Sequence, residues 1–129
     1  MSNKNTNKYD LKERTKSFGI NLIIALRKIR MTTFNKNSIS QCIRSGTSIG
    51  ANYFEADGAE SRKDFEHKIG ICKKEAQETE YWLSLIIETC GERNLLENLL
   101  EESVGLRKIF SASINTSRRE KIDSPYISH

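Results

Sequence analysis

Proline is almost absent from this sequence of 129 residues, where it occurs once, at Pro125. Proline interrupts helices more strongly than any other residue, because it lacks the backbone N–H and clashes with the preceding turn. No such interruption occurs between Met1 and Ser124. The chain also has only 7 glycines, which are too few for an architecture built from many tight turns. These shortages favour an all-α fold, and the length suits one domain.

Cysteine and histidine are also scarce, which argues against the common disulfide and metal frameworks. The three cysteines, Cys42, Cys72 and Cys90, are odd in number and lack the C-x-x-C spacing of zinc and redox sites. We therefore predict reduced thiols, as expected of a cytoplasmic protein. A di-iron bundle needs two Glu-x-x-His pairs, and only Asp64-x-x-His67 resembles half of such a motif. We expect no metal and no cofactor.

Long apolar runs are missing as well. The longest, Ile20–Leu26, is interrupted by Asn21 and falls well short of the roughly 20 apolar residues that span a bilayer. Arg27 and Lys28 follow it, where a signal peptide would carry small residues for cleavage. We expect a cytoplasmic protein without a membrane partner.

Apolar residues recur at steps of three and four in four segments, which is the spacing of one helix face. Asp10 is a favourable N-cap for the first segment, and Ser61 with Asp64 resembles a capping box for the third. The predicted helices cover 11–29, 38–55, 61–90 and 94–119, with loops at 32–37 and 56–60. We predict a disordered N-terminus at 1–9, a four-helix bundle at 10–119 and a flexible tail at 120–129. Short connections between four helices favour an antiparallel up-down-up-down bundle.

The second and third predicted helices carry the clearest packing signals. Gly46 and Gly50 each cost about 1 kcal/mol relative to alanine inside a helix. Their spacing predicts close packing by another helix of the bundle, rather than the dimerisation that the same spacing favours in a membrane. The third helix has an unbroken seam with steps of four and three, which is typical of a bundle core. Its members are Phe65, Ile69, Cys72, Ala76, Thr79, Leu83, Ile86 and Cys90.

A group of polar residues lies on or beside the apolar faces of these two helices: Asn52, Glu55, Glu75, Glu78 and Thr79. Carboxylates near a helix seam are costly unless they are paired or hydrogen-bonded. One interpretation is an acid/base or metal-binding pair. The other is a structural polar network that fixes helix register or a subunit contact, and we favour it because no nucleophile or electrophile accompanies the group.

Two aromatic residues beside these seams, Tyr53 and Trp82, have two interpretations. Tyr53 continues the apolar stripe of the second helix, and Trp82 lies between Thr79 and Leu83 of the third. Either residue could fill the core. Tryptophan is also enriched at protein interfaces, so a contact between subunits is an equal alternative.

The net charge of +4 understates how the basic residues are distributed. In an antiparallel bundle the start of the first helix, the second loop and the end of the fourth helix meet. That end would collect Lys12, Arg14, Lys16, Arg62, Lys63, Arg118, Arg119 and Lys121. Such a surface attracts phosphate backbones by releasing counterions, although the same charges could simply form a solvated surface. The opposite end mixes the cations at 27, 28, 30 and 36 with five glutamates.

Several short motifs occur together and in order in the middle of the chain. They are Ser48-Ile49-Gly50-Ala51-Asn52, Glu55-Ala56, Ser61, Asp64-Phe65 and the segment EAQETEYWL at 75–83. These motifs resemble the signature of the bacterial four-helix bundle proteins, also called large-subunit ribosomal RNA intervening-sequence proteins. Relatives of that family include the accessory variability protein of diversity-generating retroelements. The resemblance covers about 11–119 and departs from the usual pattern at Tyr53-Phe54.

The resemblance implies a left-handed up-down-up-down bundle that assembles as a ring-shaped homopentamer. It implies no enzymatic activity, and it gives no catalytic role to the matching residues Asn52, Glu55, Glu75, Glu78 and Trp82. The retroelement relatives bind nucleic acid and a reverse transcriptase through basic surfaces.

These observations lead to one preferred function and two alternatives. We expect a non-enzymatic oligomeric scaffold that binds RNA or DNA with low sequence specificity through its basic surface. The first alternative is a protein-interaction module, for example a partner of a reverse transcriptase, with no direct role for nucleic acid. The second is a metalloenzyme that uses Glu75 and Glu78.

Overall fold

Four helices make up most of residues 10–123, the part of the chain that the computed structural model describes. We number them α1 to α4, and their bounds are Leu11–Leu26, Lys36–Asp57, Arg62–Cys90 and Arg93–Asp123. No strand occurs within the described range, so the all-helical prediction is confirmed. The predicted disorder at 1–9, and the predicted tail from 124 onward, lie outside the described residues.

Side-chain caps and one glycine set the helix ends where the sequence predicted them. Asp10 Oδ1 accepts a hydrogen bond from the Glu13 N–H at 3.2 Å, and Ser61 Oγ accepts one from the Asp64 N–H at 3.0 Å. Each bond satisfies a backbone donor that the first turn leaves free. Gly91, with φ of 69°, follows the last residue of α3 in the left-handed conformation that glycine adopts without strain.

Two helix ends differ from the prediction by three residues or more. Helix α1 ends at Leu26 rather than at Ile29, and the next residues form i→i−3 bonds, such as the 3.1 Å bond from the Ile29 N–H to the Leu26 carbonyl. Ile29 still packs against the core, which is why the apolar spacing extended past the helix. Helix α4 continues to Asp123, so residues 120–123 are helical rather than a tail. Between Arg119 and Pro125 the sequence contains no helix-breaking residue. Proline itself disfavours the helical conformation at the residue that precedes it.

The core contains the predicted seam of α3. Six of its eight members are fully buried: Ile69, Cys72, Ala76, Thr79, Leu83 and Ile86. Phe65 and Cys90, at the two ends of the seam, are partly buried. Leu106 of α4 is fully buried in the same core.

Helices α1 and α2 pack closely through the two glycines of α2. A Cβ atom at Gly46 would overlap Leu22 Cδ2, and one at Gly50 would lie 3.3 Å from the Thr15 carbonyl oxygen. The predicted close packing is therefore confirmed, and its partner is α1.

The helices pack in the order of the chain, and α4 also packs against α1. Lys12, at the start of α1, pairs with Asp57, the last residue of α2, at 3.4 Å. Arg62, at the start of α3, donates to the Ser117 carbonyl of α4 at 3.1 Å. These contacts bring the starts of α1 and α3 together with the C-terminal parts of α2 and α4. Between residues 10 and 123, no helix is both long enough and apolar enough to cross a membrane.

Candidate nucleic-acid interface

The predicted basic residues come from three places: the first half of α1, the first turn of α3 and the last turns of α4. We use the name basic end for the exposed cations Lys12, Lys16, Arg62, Lys63, Arg118 and Arg119. Lys121 belongs to the last turn of α4. The bond between Arg62 and the Ser117 carbonyl joins the α3 and α4 parts of this surface.

Four of the six cations in the basic end have no acidic partner among residues 10–120. Lys16, Arg62, Lys63 and Arg119 form no ion pair there, although Arg62 donates to the Ser117 carbonyl, whereas Lys12 pairs with Asp57 at 3.4 Å. Arg118 Nε lies 3.9 Å from Glu66 Oε1, which is at the limit of an ion pair. Exposed pairs of this kind contribute little free energy, so these cations remain available to a stronger anion such as a phosphate.

Arg14 differs from the other predicted cations because its charge is already used inside the bundle. Its Nε and Nη2 donate to the two carboxylate oxygens of Glu102 at 2.7 and 2.8 Å. This bidentate pair lies half-buried between α1 and α4, and the hydrogen bonds that Arg14 donates to Glu102 hold the pKa of Arg14 above its usual value. Arg14 is therefore a structural residue of the α1–α4 contact, and we leave it out of the basic end.

The polar residues predicted on α2 and α3 do not form one network. Arg44 of α2 instead connects two of them: its Nη1 lies 3.4 Å from Glu75 Oε1, and its Nη2 donates to Glu78 Oε2. The same Glu78 oxygen accepts a hydrogen bond from Trp82 Nε1 at 2.9 Å. The bonds from Arg44 and Trp82 lower the pKa of Glu78. Sequence reasoning missed Arg44, because its partners are 31 and 34 residues away.

The remaining members of the predicted network make separate contacts. Glu55 accepts from Lys68 Nζ at 2.6 Å, and the hydroxyls of Thr79 and Ser45 are 2.8 Å apart in the core. Both contacts join α2 to α3. Asn52 instead donates to the Ser48 carbonyl of its own helix at 2.8 Å. The residues thus act mainly as cross-links between two adjacent helices.

Chemistry at these residues is limited by their partners. Glu75 and Glu78 both face the Arg44 guanidinium, which is the environment of a structural ion pair. In the part of the chain that the structure describes, no group of three His, Cys, Asp or Glu side chains could hold a metal ion. Burial raises the pKa of the Cys42 and Cys72 thiols to about 12, which disfavours the nucleophilic thiolate.

Tyr53 and Trp82 both pack against the core with part of their surface exposed. The ring centroids of Tyr53 and Phe110 are 6.3 Å apart, and Trp82 meets Tyr81 edge to face at 4.9 Å. Desolvation raises the pKa of the Tyr53 hydroxyl. These contacts give both residues a place in the packing of the single chain, and the exposed parts of their surfaces leave room for a further contact.

An apolar groove lies beside the basic end, between α1 and α2. Ile20 and Ile23 are 47% and 41% exposed on α1, and Phe54 is 65% exposed on α2. Small residues complete its lining, and its charged residues are of both signs. The small residues are Thr15, Gly19, Thr47, Gly50 and Ala51, and the charged ones are Lys12, Glu13 and Lys16. Lys12 Nζ lies 5.1 Å from the centroid of the Phe54 ring, which is the geometry of a cation–π contact. Exposed apolar residues grouped in this way mark a site of interaction.

Known proteins resemble this chain in sequence and in fold. The family model described as 23S rRNA-intervening sequence protein matches residues 10–112. A crystal structure at 1.70 Å resolution shows a protein of unknown function from the S23 ribosomal protein family of Bacteroides thetaiotaomicron. That protein is 36% identical, and the match covers 80% of this chain and 96% of that chain with a TM-score of 0.69. No curated protein matches the chain. The family match includes α1, α2, α3 and most of α4, so it concerns the whole bundle rather than one motif.

Proposed function

Because the chain belongs to the 23S rRNA-intervening sequence protein family, we propose that it is a non-enzymatic, oligomeric four-helix-bundle scaffold that binds RNA or DNA with low sequence specificity. The basic end is the interface. The observation that carries this proposal is that Lys16, Lys63 and Arg119, from three different helices, form no ion pair within the described residues.

The chemistry of these side chains favours contact with the nucleic-acid backbone. Lysine and arginine side chains at an exposed surface neutralise phosphates and release counterions, a contribution to binding that does not depend on base sequence. Reading a sequence requires side chains that reach base edges in a groove. The basic end is distributed over the ends of three helices, which suits contact with phosphates more than insertion into a groove.

We further propose that the chain forms a left-handed antiparallel up-down-up-down bundle and assembles as a ring-shaped homopentamer. The pairing of Lys12 with Asp57, and of Arg62 with the Ser117 carbonyl, supports the antiparallel order. The exposed Ile20 and Ile23 of α1 support burial between subunits. A ring would repeat the basic end around one axis, and several linked contacts bind a polyanion more tightly than one.

A protein-interaction module is the second candidate. The apolar groove between α1 and α2 favours it, since such a surface buries area against another protein. We propose a reverse transcriptase as one such partner, by analogy with the retroelement accessory protein that the sequence motifs led us to expect among the relatives of the family. A pull-down that recovers a protein after complete nuclease digestion, together with no measurable RNA or DNA binding, would support this candidate over the first.

The experiment for the preferred function is a salt titration of binding to labelled RNA and DNA. The variant replaces Lys63, Arg118 and Arg119 with alanine. The matched control replaces three other cations, Lys73, Lys74 and Lys108, which are partly or fully exposed but lie in the middle of α3 and α4. We expect the logarithm of the binding constant to fall linearly with the logarithm of salt concentration. On a single strand, each lost phosphate contact reduces that slope by about 0.7.

Two results would contradict the proposal. One is an absence of binding to either nucleic acid at low salt. The other is an equal affinity and salt slope for the wild type, the triple variant and the control variant, which would mean that binding does not use the basic end.

A further inference from the structure

Phe34 is 98% exposed, although phenylalanine is normally buried. It lies in the loop between α1 and α2, close to the end of α3, because its neighbour Asn35 contacts Cys90 Sγ at 3.8 Å. The basic end lies at the other end of α2, and a helix of 22 residues is about 33 Å long. Phe34 therefore belongs to a different surface from the one described above.

The loop that carries Phe34 is held in place by its own hydrogen bonds. Thr32 Oγ1 accepts from the backbone N–H groups of Phe34 and Asn35 at 3.1 and 3.2 Å. Asn35 Oδ1 accepts from the Thr32 N–H at 2.7 Å, and Asn35 Nδ2 donates to the Arg30 carbonyl at 3.0 Å. Asn35 itself is buried. These bonds fix the backbone on both sides of Phe34, so the position from which its exposed ring extends into solvent is defined.

The segment at 27–37, which includes Phe34, contains four cations and no acidic residue. Arg27, Lys28, Arg30 and Lys36 are all exposed, and none of them forms an ion pair among residues 10–120. The bond from Asn35 to the Arg30 carbonyl and the 3.0 Å bond from the Lys36 N–H to the Thr32 carbonyl fold residues 30–36 back on themselves. Glutamates of α3 and α4 share this end of the bundle, and one of them, Glu88, pairs with Arg93 at 3.2 Å.

We propose that Phe34 is a stacking platform for an unpaired base of single-stranded RNA, whose phosphates bind Arg27, Lys28, Arg30 and Lys36. Proteins that bind single strands without sequence preference combine an aromatic ring for the base with cations for the backbone. A lipid surface or a second copy of the chain would also cover an apolar ring. However, the segment has four exposed cations and only two exposed apolar residues, Phe34 and Met31. This composition favours a nucleic acid, whose phosphates would contact the cations and whose bases would stack on the ring. The choice of RNA as the ligand rests on the proposed function.

The experiment measures binding of a fluorescein-labelled oligouridylate of about 16 nucleotides to the full chain at low salt. Phe34→Leu keeps an apolar side chain but removes the ring, and we expect it to weaken binding about 5- to 150-fold, the range measured for loss of one aromatic stack. Phe34→Trp should retain the wild-type affinity, and unlabelled RNA should quench the fluorescence that the new tryptophan adds. Tyr81→Leu, an exposed aromatic residue on α3, is the matched control and should bind as the wild type does.

The outcomes separate this inference from the proposed function. If the wild type binds neither RNA nor DNA at low salt, the proposed function is wrong and this inference fails with it. If the wild type binds DNA but not RNA, only this inference is overturned. If the wild type binds and Phe34→Leu binds equally well, only this inference is overturned. Two further results would overturn only this inference. In one, Phe34→Leu keeps its RNA affinity but loses binding to phosphatidylserine vesicles, which would assign Phe34 to a lipid surface. In the other, Phe34→Leu keeps its RNA affinity but changes its mass in solution, which would assign Phe34 to a contact between copies of the chain. Loss of affinity in Phe34→Leu, with quenching in Phe34→Trp, supports the inference.

Discussion

At the scale of single residues, Gly46 shows how much the α1–α2 contact depends on the absence of a side chain. The glycine costs about 1 kcal/mol of helix propensity relative to alanine. The packing of α1 against α2 offsets that cost. The fully buried Leu22 occupies the space where a Cβ atom of residue 46 would lie, and Phe18 Cε2 is only 3.5 Å from the same position. Leu22 has little room to move away, because protein interiors are close-packed.

We predict that Gly46→Ala destabilises the bundle by about 1–3 kcal/mol, the usual cost of inserting a methyl group into a filled core. Gly70→Ala is the matched control, because a Cβ atom at Gly70 in α3 would meet nothing within 4 Å. The control should stabilise the protein by up to about 1 kcal/mol through helix propensity. Urea denaturation followed by circular dichroism measures both changes. A stabilising Gly46→Ala would show that α1 and α2 are not in close contact.

At the same scale, the sequence predicted some contacts well and others not at all. The Asp10 and Ser61 caps were predictable because the bonded groups are three residues apart. The pairing of Arg14 with Glu102 was not, because 88 residues separate the two side chains and nothing local connects them. The same reason applies to Arg44 and its glutamates.

At the scale of helices, the side-chain contacts of Arg44 link α2 to α3. The folded state lowers the pKa of Glu78, mainly through the hydrogen bond from Arg44 and also through that from Trp82. A carboxylate with a lowered pKa adds stability above the pKa of the unfolded chain, and this contribution is lost as pH falls through the folded pKa. Because the Glu78 side chain is 38% exposed, solvent screening keeps the effect small.

We predict that Glu78→Gln lowers the free energy of unfolding at neutral pH by about 1 kcal/mol or less. The difference from the wild type should disappear in acid, below the folded pKa of Glu78, where the wild-type carboxylate is also uncharged. Denaturation midpoints measured across a series of pH values test this prediction. Glu97→Gln, at an exposed position on α4 without an ion pair in the described residues, should show a smaller difference at neutral pH. A difference for Glu78→Gln that is independent of pH would argue against the ion pair.

The helices themselves were largely predictable, and their ends less so. Periodicity identified the four segments and the seam of α3, because a buried helix face repeats every three or four residues. It failed at the end of α1, where Ile29 packs against the core from a turn rather than from a helix.

At the scale of the whole molecule, the exposed apolar residues of α1 are the best indication of assembly. We predict that the wild type has about five times the 14.8 kDa mass of one chain in solution, and that the double variant Ile20→Glu, Ile23→Glu is a monomer. Charged groups at a subunit contact pay a desolvation cost that the apolar side chains do not. Light scattering coupled to size exclusion measures the mass.

The control for assembly is Tyr81→Gln, which changes an exposed apolar residue of α3 outside the groove. It should keep the mass of the wild type. The double variant should retain its helical circular dichroism, because both isoleucines are substantially exposed in the single chain. A wild type that is already monomeric would refute the ring, whereas an unchanged mass in the double variant would place the subunit contact elsewhere.

The sequence by itself determined the all-helical class, the number of helices and most of their ends, because caps, glycines and apolar spacing act over a few residues. Only the tertiary structure decided which charges are available at the surface. It paired Arg14 with Glu102 and Arg44 with Glu75 and Glu78, and it left Lys16, Lys63 and Arg119 without partners among the described residues. It also left Phe34 in solvent. Such outcomes depend on which helices lie side by side, and that packing brings together side chains that are distant in the sequence.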